Sequence, residues 1–448
     1  MSEPSQINSS STERHDTEVC PNVVTASSSS DRQSDSETDV SMPSTSPSPT
    51  TSFDENIIAR TYHAASNIPH IHYSHKLQRD HSMNNFGSRT TQTAFDRAYE
   101  LYARTSHMGI LDPTYKVFTS QNGYGSLIYK IRARTVVVLG DPLCSEECRK
   151  PLLNELRHFR WARGLALIFV GISEDFVKYA QQQGWMTMHF GHERVLNPLT
   201  NKVLRNEAGK RMVTQNKQLL DPKRGGISVH LYSPSITKAE SDLEDQLQKL
   251  YDDWRHQRNR KYRGSLRAFV TVYDLFSHPE STITLYTSDC KSKLNGFAIL
   301  RKLGTQTGYH IDPCIASQDA PRGITDLLIV AAMQLLKSSG ISYLSLGFDP
   351  LDNIQGINGQ SKLQSWLWKR GYNHMVKSAP VTGKAAYFKK FYPDESLASK
   401  LFICLPSKGI PLRESIALLQ FANLNIRQLF TESSPMDQHG EKQPLKCQ

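Results

Sequence analysis

Long apolar runs are missing from this chain. No window offers 18 uninterrupted apolar residues, so no spanning helix is expected. The N-terminus lacks the charged-then-apolar pattern of a secretory signal. The seven cysteines (Cys20, Cys144, Cys148, Cys290, Cys314, Cys404 and Cys447) form no C-x-x-C and no Cys/His cluster. An odd, unpatterned set fits a reducing compartment, so a soluble or peripheral cytosolic protein is expected. A Walker loop, a Rossmann G-x-G-x-x-G, a G-x-S-x-G elbow and an H-E-x-x-H are all absent. Kinase, dehydrogenase, serine-hydrolase and metalloprotease readings therefore lack support.

What is present is unevenly charged. Residues 1–55 hold ten acidic residues against Arg14 and Arg32, a net charge of −8, and the rest of the chain carries +18. That stretch is rich in Ser, Thr, Pro and Asp and poor in large apolar residues, so a disordered tail is expected. A body of charge +18 exceeds what solubility needs and suggests a polyanionic partner, either nucleic acid or an anionic membrane surface. Residues 56–89 read as a linker. Its His70-x-His72-x-x-His75 spacing could ligate a metal, but the segment has no acidic or thiol partners, and no metal is expected.

From residue 90 the apolar pattern predicts alternating helices and strands. Expected helices are Ala94–Met108, Leu152–Arg163, Phe176–Gln183, Lys202–Leu220, Leu243–Arg263, 324–337 and Leu363–Trp368. Expected strands are Lys116–Thr119, Gly125–Ile131, Val136–Leu139, Ala166–Val170, Met186–Val195, Ile227–Tyr232, Ile283–Thr287, Gly296–Leu303, Tyr309–Ile315 and Ser342–Leu346. Val136-Val137-Val138-Leu139 is apolar throughout, as in a strand buried on both faces. Gly340 suits a helix C-cap, and Gly347-Phe348-Asp349-Pro350 reads as an open loop after the last strand. The order repeats, which gives two α/β units, 90–235 and 236–405. Residues 406–432 hold an amphipathic helix that either packs on the domain or lies on a membrane, and 433–448 form a second tail. Basic side chains stud two helices, among them Arg205, Arg211, Lys217 and Arg258; they are either solvated faces or phosphate contacts.

Five short motifs occur in order: Gly140-Asp141-Pro142, Gly191-His192-Glu193, Asp252-Asp253-Trp254, Leu346-Gly347-Phe348-Asp349-Pro350-Leu351 and Lys390-Phe391-Tyr392-Pro393. Over roughly 90–405 they resemble the cytosolic C-terminal domain of bacterial phosphatidylglycerol lysyltransferases, which move an amino acid from aminoacyl-tRNA to a lipid hydroxyl. The resemblance implies an α/β fold of tandem acetyltransferase-like (GNAT) domains, each a mixed central sheet flanked by helices. A free-standing copy behind a Ser-rich tail is similar to the fungal ergosteryl-glycine synthases. That implies an aminoacyltransferase with glycyl-tRNA as donor and the 3β-hydroxyl of ergosterol as acceptor, peripheral to internal membranes and without a cofactor. Phosphatidylglycerol or another glycerolipid remains an alternative acceptor. An acyl-CoA-dependent N-acetyltransferase is a second alternative, although the stretch Gln318–Thr325 lacks the pyrophosphate loop such enzymes use.

Transfer from an activated ester requires no covalent nucleophile or metal, only orientation, proton removal and oxyanion stabilisation. Bacterial members carry an Asp-Leu-Met-Arg motif that reads Asp312-Pro313-Cys314-Ile315 here. The resemblance makes Asp312 and Lys390 the catalytic candidates, with Glu193, Asp349 and Gly347 for the substrate and Arg205, Arg211, Lys217 and Arg258 for tRNA. Ile315 replaces the motif's Arg, which weakens phosphate-headgroup recognition and suits an uncharged sterol. The competing reading of Asp312, Lys390 and Glu193 is a set of structural ion pairs.

Overall fold

The computed structural model describes residues 57–65, 68–73, 94–261, 272–358, 382–406 and 412–421, with Ser365, Lys369 and Tyr372. The tail 1–55, His75, His81, most of the expected helix Leu363–Trp368 and everything beyond Phe421 lie outside the described residues. Among the described residues the elements run α1 (Ile57–Ala65), β1 (Ile71–Tyr73), α2 (Ala94–Tyr102), a 3-10 segment (Thr105–Leu111), β2 (Lys116–Thr119), β3 (Ser126–Arg132), β4 (Thr135–Leu143) and α3 (Glu146–Trp161). Then follow β5 (Ala166–Ile172), α4 (Glu174–Gln182), β6 (Met186–Leu196), α5 (Lys210–Leu220), β7 (Ser228–Tyr232) and α6 (Ser241–Lys261). The rest are β8 (Thr282–Ser288), β9 (Leu294–Leu303), β10 (Gly308–Ala316), α7 (Ile324–Ser338), β11 (Leu344–Asn358), α8 (Thr382–Lys389), β12 (Lys400–Leu405) and α9 (Leu412–Phe421).

The expected mixed α/β architecture is present, and its strands form one sheet in the order β1-β7-β8-β9-β10-β11-β6-β12-β5-β4-β3-β2. The β1/β7, β4/β5 and β10/β11 pairs are parallel. Antiparallel pairing of β11 with β6 joins the strands of the two halves. β7 pairs with β8, while β12 enters the other half between β5 and β6.

Alternation along β9 sets the layers. Ala298 and Leu300 face a core built with α1, α5 and α7, while Phe297 and Ile299 face a core built with α6. α7 is apolar nearly all round, and eleven of its fifteen residues are buried, so it packs as a central helix rather than an amphipathic one. It ends as expected at Gly340, which takes φ 72° and donates to Lys337 O at 3.0 Å. α9 packs on β3, β4 and β5 and buries Ala417 against them.

Several elements differ from the sequence reading for local reasons. α5 begins only at Lys210, because Gly209 takes φ 67° and a left-handed residue cannot continue a right-handed helix. α2 stops at Tyr102, and Arg104 is extended. α3 starts at Glu146, not after Pro151; Glu146 and Glu147 in its first turn suit the helix dipole. The Gly347-Phe348-Asp349-Pro350 stretch is not a loop: it continues β11, pairing Phe348 with Glu193 and Asp349 with His192 across an irregularity at Gly347.

β4 likewise runs through Gly140-Asp141-Pro142. Gly140 has φ 74°, and a Cβ there would meet His107 Nε2 at 2.6 Å and Ser106 Oγ at 2.8 Å. Its glycine lets the 3-10 segment lie against the strand. Asp141 accepts from Ser173 N (2.8 Å) and Ser173 Oγ (2.6 Å), which fixes the start of α4. His107 Nδ1 accepts from Arg104 N, and Nε2 lies 2.9 Å from Asp141 O. Burial pulls the His107 pKa down to about 4, with Arg104 and Arg301 adding to that pull and Asp141 opposing it.

Two outcomes follow from this packing. Leu328→Ala, in the middle of α7, is expected to cost about 2–5 kcal/mol in urea unfolding. His107 stays neutral in the fold but takes a proton near pH 6.5 when unfolded, so its contribution is present above pH 6.5 and lost as pH falls toward 4. Between pH 7 and pH 5 it should remove about 2 kcal/mol of unfolding free energy, and His107→Gln should flatten that part of the pH profile.

Candidate active site

β10 and β11 pair in parallel only at Tyr309–Leu344 and His310–Ser345 and then part. β10 carries a bulge between Ile311 and Cys314, and β11 an irregularity between Ser345 and Phe348, where Gly347 takes φ 95°. The opening lies beside the start of α7. The bulge releases Asp312 from the ladder and resets the alternation, so Cys314 packs against the α7 core while Ile315 packs against the α6 core.

Asp312 is half-buried and accepts a hydrogen bond at Oδ2 from the Tyr273 hydroxyl (3.1 Å). The Tyr273 ring stacks on Tyr251 of α6 with centroids 5.5 Å apart. Burial pushes the Tyr273 hydroxyl well above its ordinary value, and the Asp312 carboxylate adds to that. Tyr273 is thus a fixed neutral donor, which leaves Asp312 Oδ1 for another partner.

Lys390 stands just past α8. Its Nζ is 2.7 Å from both oxygens of Asp326, in the first turn of α7, and 4.0 Å from the centre of the Tyr387 ring. The Tyr387 hydroxyl donates to Asp326 Oδ1 (2.8 Å) and lies 2.9 Å from Thr325 Oγ1. The Lys390 side chain keeps 38% of its surface exposed, so the ion pair fixes the ammonium without closing it off. The Cys314 Sγ, 3.7 Å from Thr325 O, links the two groups. Burial raises its thiol above the usual range, and both Asp326 and Asp312 are close enough to raise it further. The structure therefore turns Asp312 toward the α6 face of β10 and holds Lys390 on the α7 face, with Cys314 between the two neighbourhoods.

Glu193 on β6 is fully buried. Its Oε2 accepts from the Tyr343 hydroxyl (2.5 Å), and its Oε1 has no hydrogen-bond partner. Asp349 is engaged by Arg194, at 2.9 Å from Nε and 2.8 Å from the terminal nitrogen, and Arg194 also reaches Glu395. Gly347 N donates to Ser345 Oγ at 3.1 Å. Arg211 and Lys217 share α5, which packs beside α7. Arg205 lies before that helix, 3.9 Å from Glu207. Arg258 stands over Trp254 on α6, on the opposite face of the sheet. These cations do not form a single patch.

Three residues escaped the sequence reading. Asp326 had a signal, a lone acid opening an apolar helix. Arg301 had one too: β9 is apolar on both faces, so one cation of Arg301-Lys302 had to point inward. Tyr273 had none, since only the fold brings it to Asp312, 39 positions away.

The phosphatidylglycerol lysyltransferase C-terminal family model matches residues 97–402. The phosphatidylglycerol lysyltransferase of Bacillus subtilis (strain 168) is 22% identical over 296 residues, 64% of this chain and 32% of that protein. The one from Staphylococcus epidermidis is 21% identical over 277 residues, 62% and 31% respectively. The chain thus spans about a third of the length of these curated relatives. The structure of L-PGS from Bacillus licheniformis superposes with a TM-score of 0.54 at 18% identity, over 71% of this chain and 92% of that one. The C-terminal domain of a putative lysylphosphatidylglycerol synthetase from Agrobacterium fabrum gives 0.55 at 19%, over 73% and 94%. These structures share the fold, and with the family match across most of its length the chain belongs to the phosphatidylglycerol lysyltransferase C-terminal family.

Proposed function

We propose that this chain transfers an aminoacyl group from a charged tRNA to a lipid hydroxyl at a membrane surface. The observation that carries the reading is the freed Asp312 carboxylate at the β10/β11 opening, with the Lys390–Asp326 pair on the other side of β10. Asp312 takes the proton of the acceptor hydroxyl as its oxygen attacks the ester carbonyl. Lys390, on the other side of β10, holds the terminal phosphate of the donor RNA. The bond to the tRNA ribose oxygen then breaks, and Asp312 returns the proton to that oxygen. One ester replaces another, so no oxidant or net proton source is needed. Tyr273 holds the Asp312 carboxylate in place, and the unpartnered Glu193 Oε1 receives the substrate's α-amino group. Gly347 gives the acyl group room at the opening, and Asp349, held by Arg194, shapes its wall. Arg205, Arg211 and Lys217 contact the tRNA backbone, as does Arg258 from the α6 face of the sheet. Among the described residues no helix is long and apolar enough to cross a membrane, and the chain reaches its acceptor from the aqueous side of internal membranes.

In the finer reading the donor is glycyl-tRNA and the acceptor is the 3β-hydroxyl of ergosterol. Ile315 supports this, as an apolar residue in the place of the bacterial motif's arginine. A second reading takes phosphatidylglycerol or another glycerolipid as acceptor. It is favoured by the names of the relatives and by a buried arginine on β9.

The test is reconstitution with glycyl- or lysyl-tRNA and vesicles holding either ergosterol or phosphatidylglycerol, followed by lipid mass spectrometry. A ribonuclease-sensitive aminoacyl lipid is expected. Asp312→Asn should lower turnover about 10²–10⁴-fold, and Lys390→Met by a loss on the order of 10²-fold, each with its thermal melt as a folding control. No product from any donor and acceptor pair would refute the reading.

A further inference from the structure

Arg301 is buried in a way that the fold itself does not explain. It lies on β9, paired across the ladder with His310, two positions before Asp312 on β10. Its relative exposure is 0%, and none of its three guanidinium nitrogens has a hydrogen-bond partner. Among the described residues no carboxylate forms an ion pair with it. A buried cation without a counter-charge is costly, and removing a charge of this kind in favour of an apolar side chain is commonly stabilising. Carboxylates stand beside its neighbours, Asp312 on Tyr273 and Asp96 and Asp274 near His278, but none of them pairs with it. The Tyr99 hydroxyl, also buried and unpartnered, lies close enough to feel the guanidinium. So do His107, His278 and Tyr273, the residue that donates to Asp312. His278 lies in the wall of a 160 Å³ pocket with Phe95, Ile110 and Asp112. That wall holds two carboxylates, Asp112, paired with Lys130 at 2.7 Å, and Asp274.

We propose that Arg301 is the cation of a phosphodiester-binding site, completed by substrate beside the transfer centre. The choice of anion rests on the function proposed above. An aminoacyl ester has no free carboxylate, so the anionic groups in that reaction are phosphodiesters. They come from two sources, the 3′ end of the donor RNA and the headgroup of a phospholipid acceptor. A planar guanidinium with five donors suits either, and Tyr99 supplies one more donor.

The test uses the full chain and two soluble diesters. Cytidylyl-adenosine represents the tRNA end, and glycerophosphoglycerol represents the headgroup. At least one is expected to raise the melting temperature of the wild type, and which one does so identifies the source. R301M is expected to melt higher than the wild type, to bind that probe on the order of tenfold to a hundredfold more weakly, and to lose transfer by a comparable factor. R301K, which keeps the charge without the planar fork, should bind between the two. Equal probe binding by wild type and R301M overturns the proposal. So does an R301M that melts lower or fails to fold, which would make Arg301 a structural residue. If no tRNA and lipid pair gives product but a diester still stabilises the wild type and not R301M, the site stands and the transferase reading falls. Transfer by R301M at the wild-type rate has the opposite meaning.

Discussion

Two parallel strands that pair at only two positions set the conditions for the rest of the site. β10 and β11 hold register at His310–Ser345 and then separate, yet both stay in the sheet through their other neighbours, β9 and β6. Backbone groups at such an opening are not used up by the ladder. The bulge that starts it moves Asp312 out of register and sends Cys314 to the opposite face. α7 begins close by, so its first turn brings Asp326 and, through it, Lys390. The bulge thus turns Asp312 toward one face of the sheet, while the first turn of α7 holds the Lys390 ammonium on the other.

The apolar mass of α7 keeps that opening from closing or sliding. A helix buried nearly all round has little freedom to rotate, because any rotation would expose large side chains or open a cavity. Its N-terminal turn is therefore a rigid mount for Thr325 and Asp326. The tyrosines behind the site act in the same direction: burial holds Tyr273, Tyr343 and Tyr387 neutral, so each remains a donor to a neighbouring carboxylate. These bonds order part of the polar interior, which also holds buried groups without a hydrogen-bond partner, the Arg301 guanidinium and Glu193 Oε1 among them.

The chain itself determined a good deal. Strand periodicity located Lys116–Thr119 to the residue, and the apolar run at 324–337 became α7. The capping glycine at 340 was readable, because a left-handed C-cap is a local demand on one residue. Asp312 and Lys390 could be named because each lies in a short motif. Where the reading went wrong, the cause was also local: Gly209 breaks a helix that composition alone would continue, and Gly347 bends a strand without ending it.

Only the tertiary structure decided what these residues touch. Lys390 and Asp326 are 64 positions apart, and Arg194 and Asp349 are 155 apart, so no spacing rule connects them. Sequence could not say that the strands of both halves would join through β6 and β11, because edge pairing depends on which backbone edges are left uncovered after folding. Nor could it say that Arg301 is buried while Lys302, one position on, reaches Glu100 at 2.8 Å. Alternation assigns neighbouring residues to opposite faces, but what covers each face is set by distant elements. The motifs at Gly140-Asp141-Pro142 and Lys390-Phe391-Tyr392-Pro393 were visible as words in the chain. That the first anchors the 3-10 segment, and that the second carries the ammonium to α7, became physical statements only when the chain was folded.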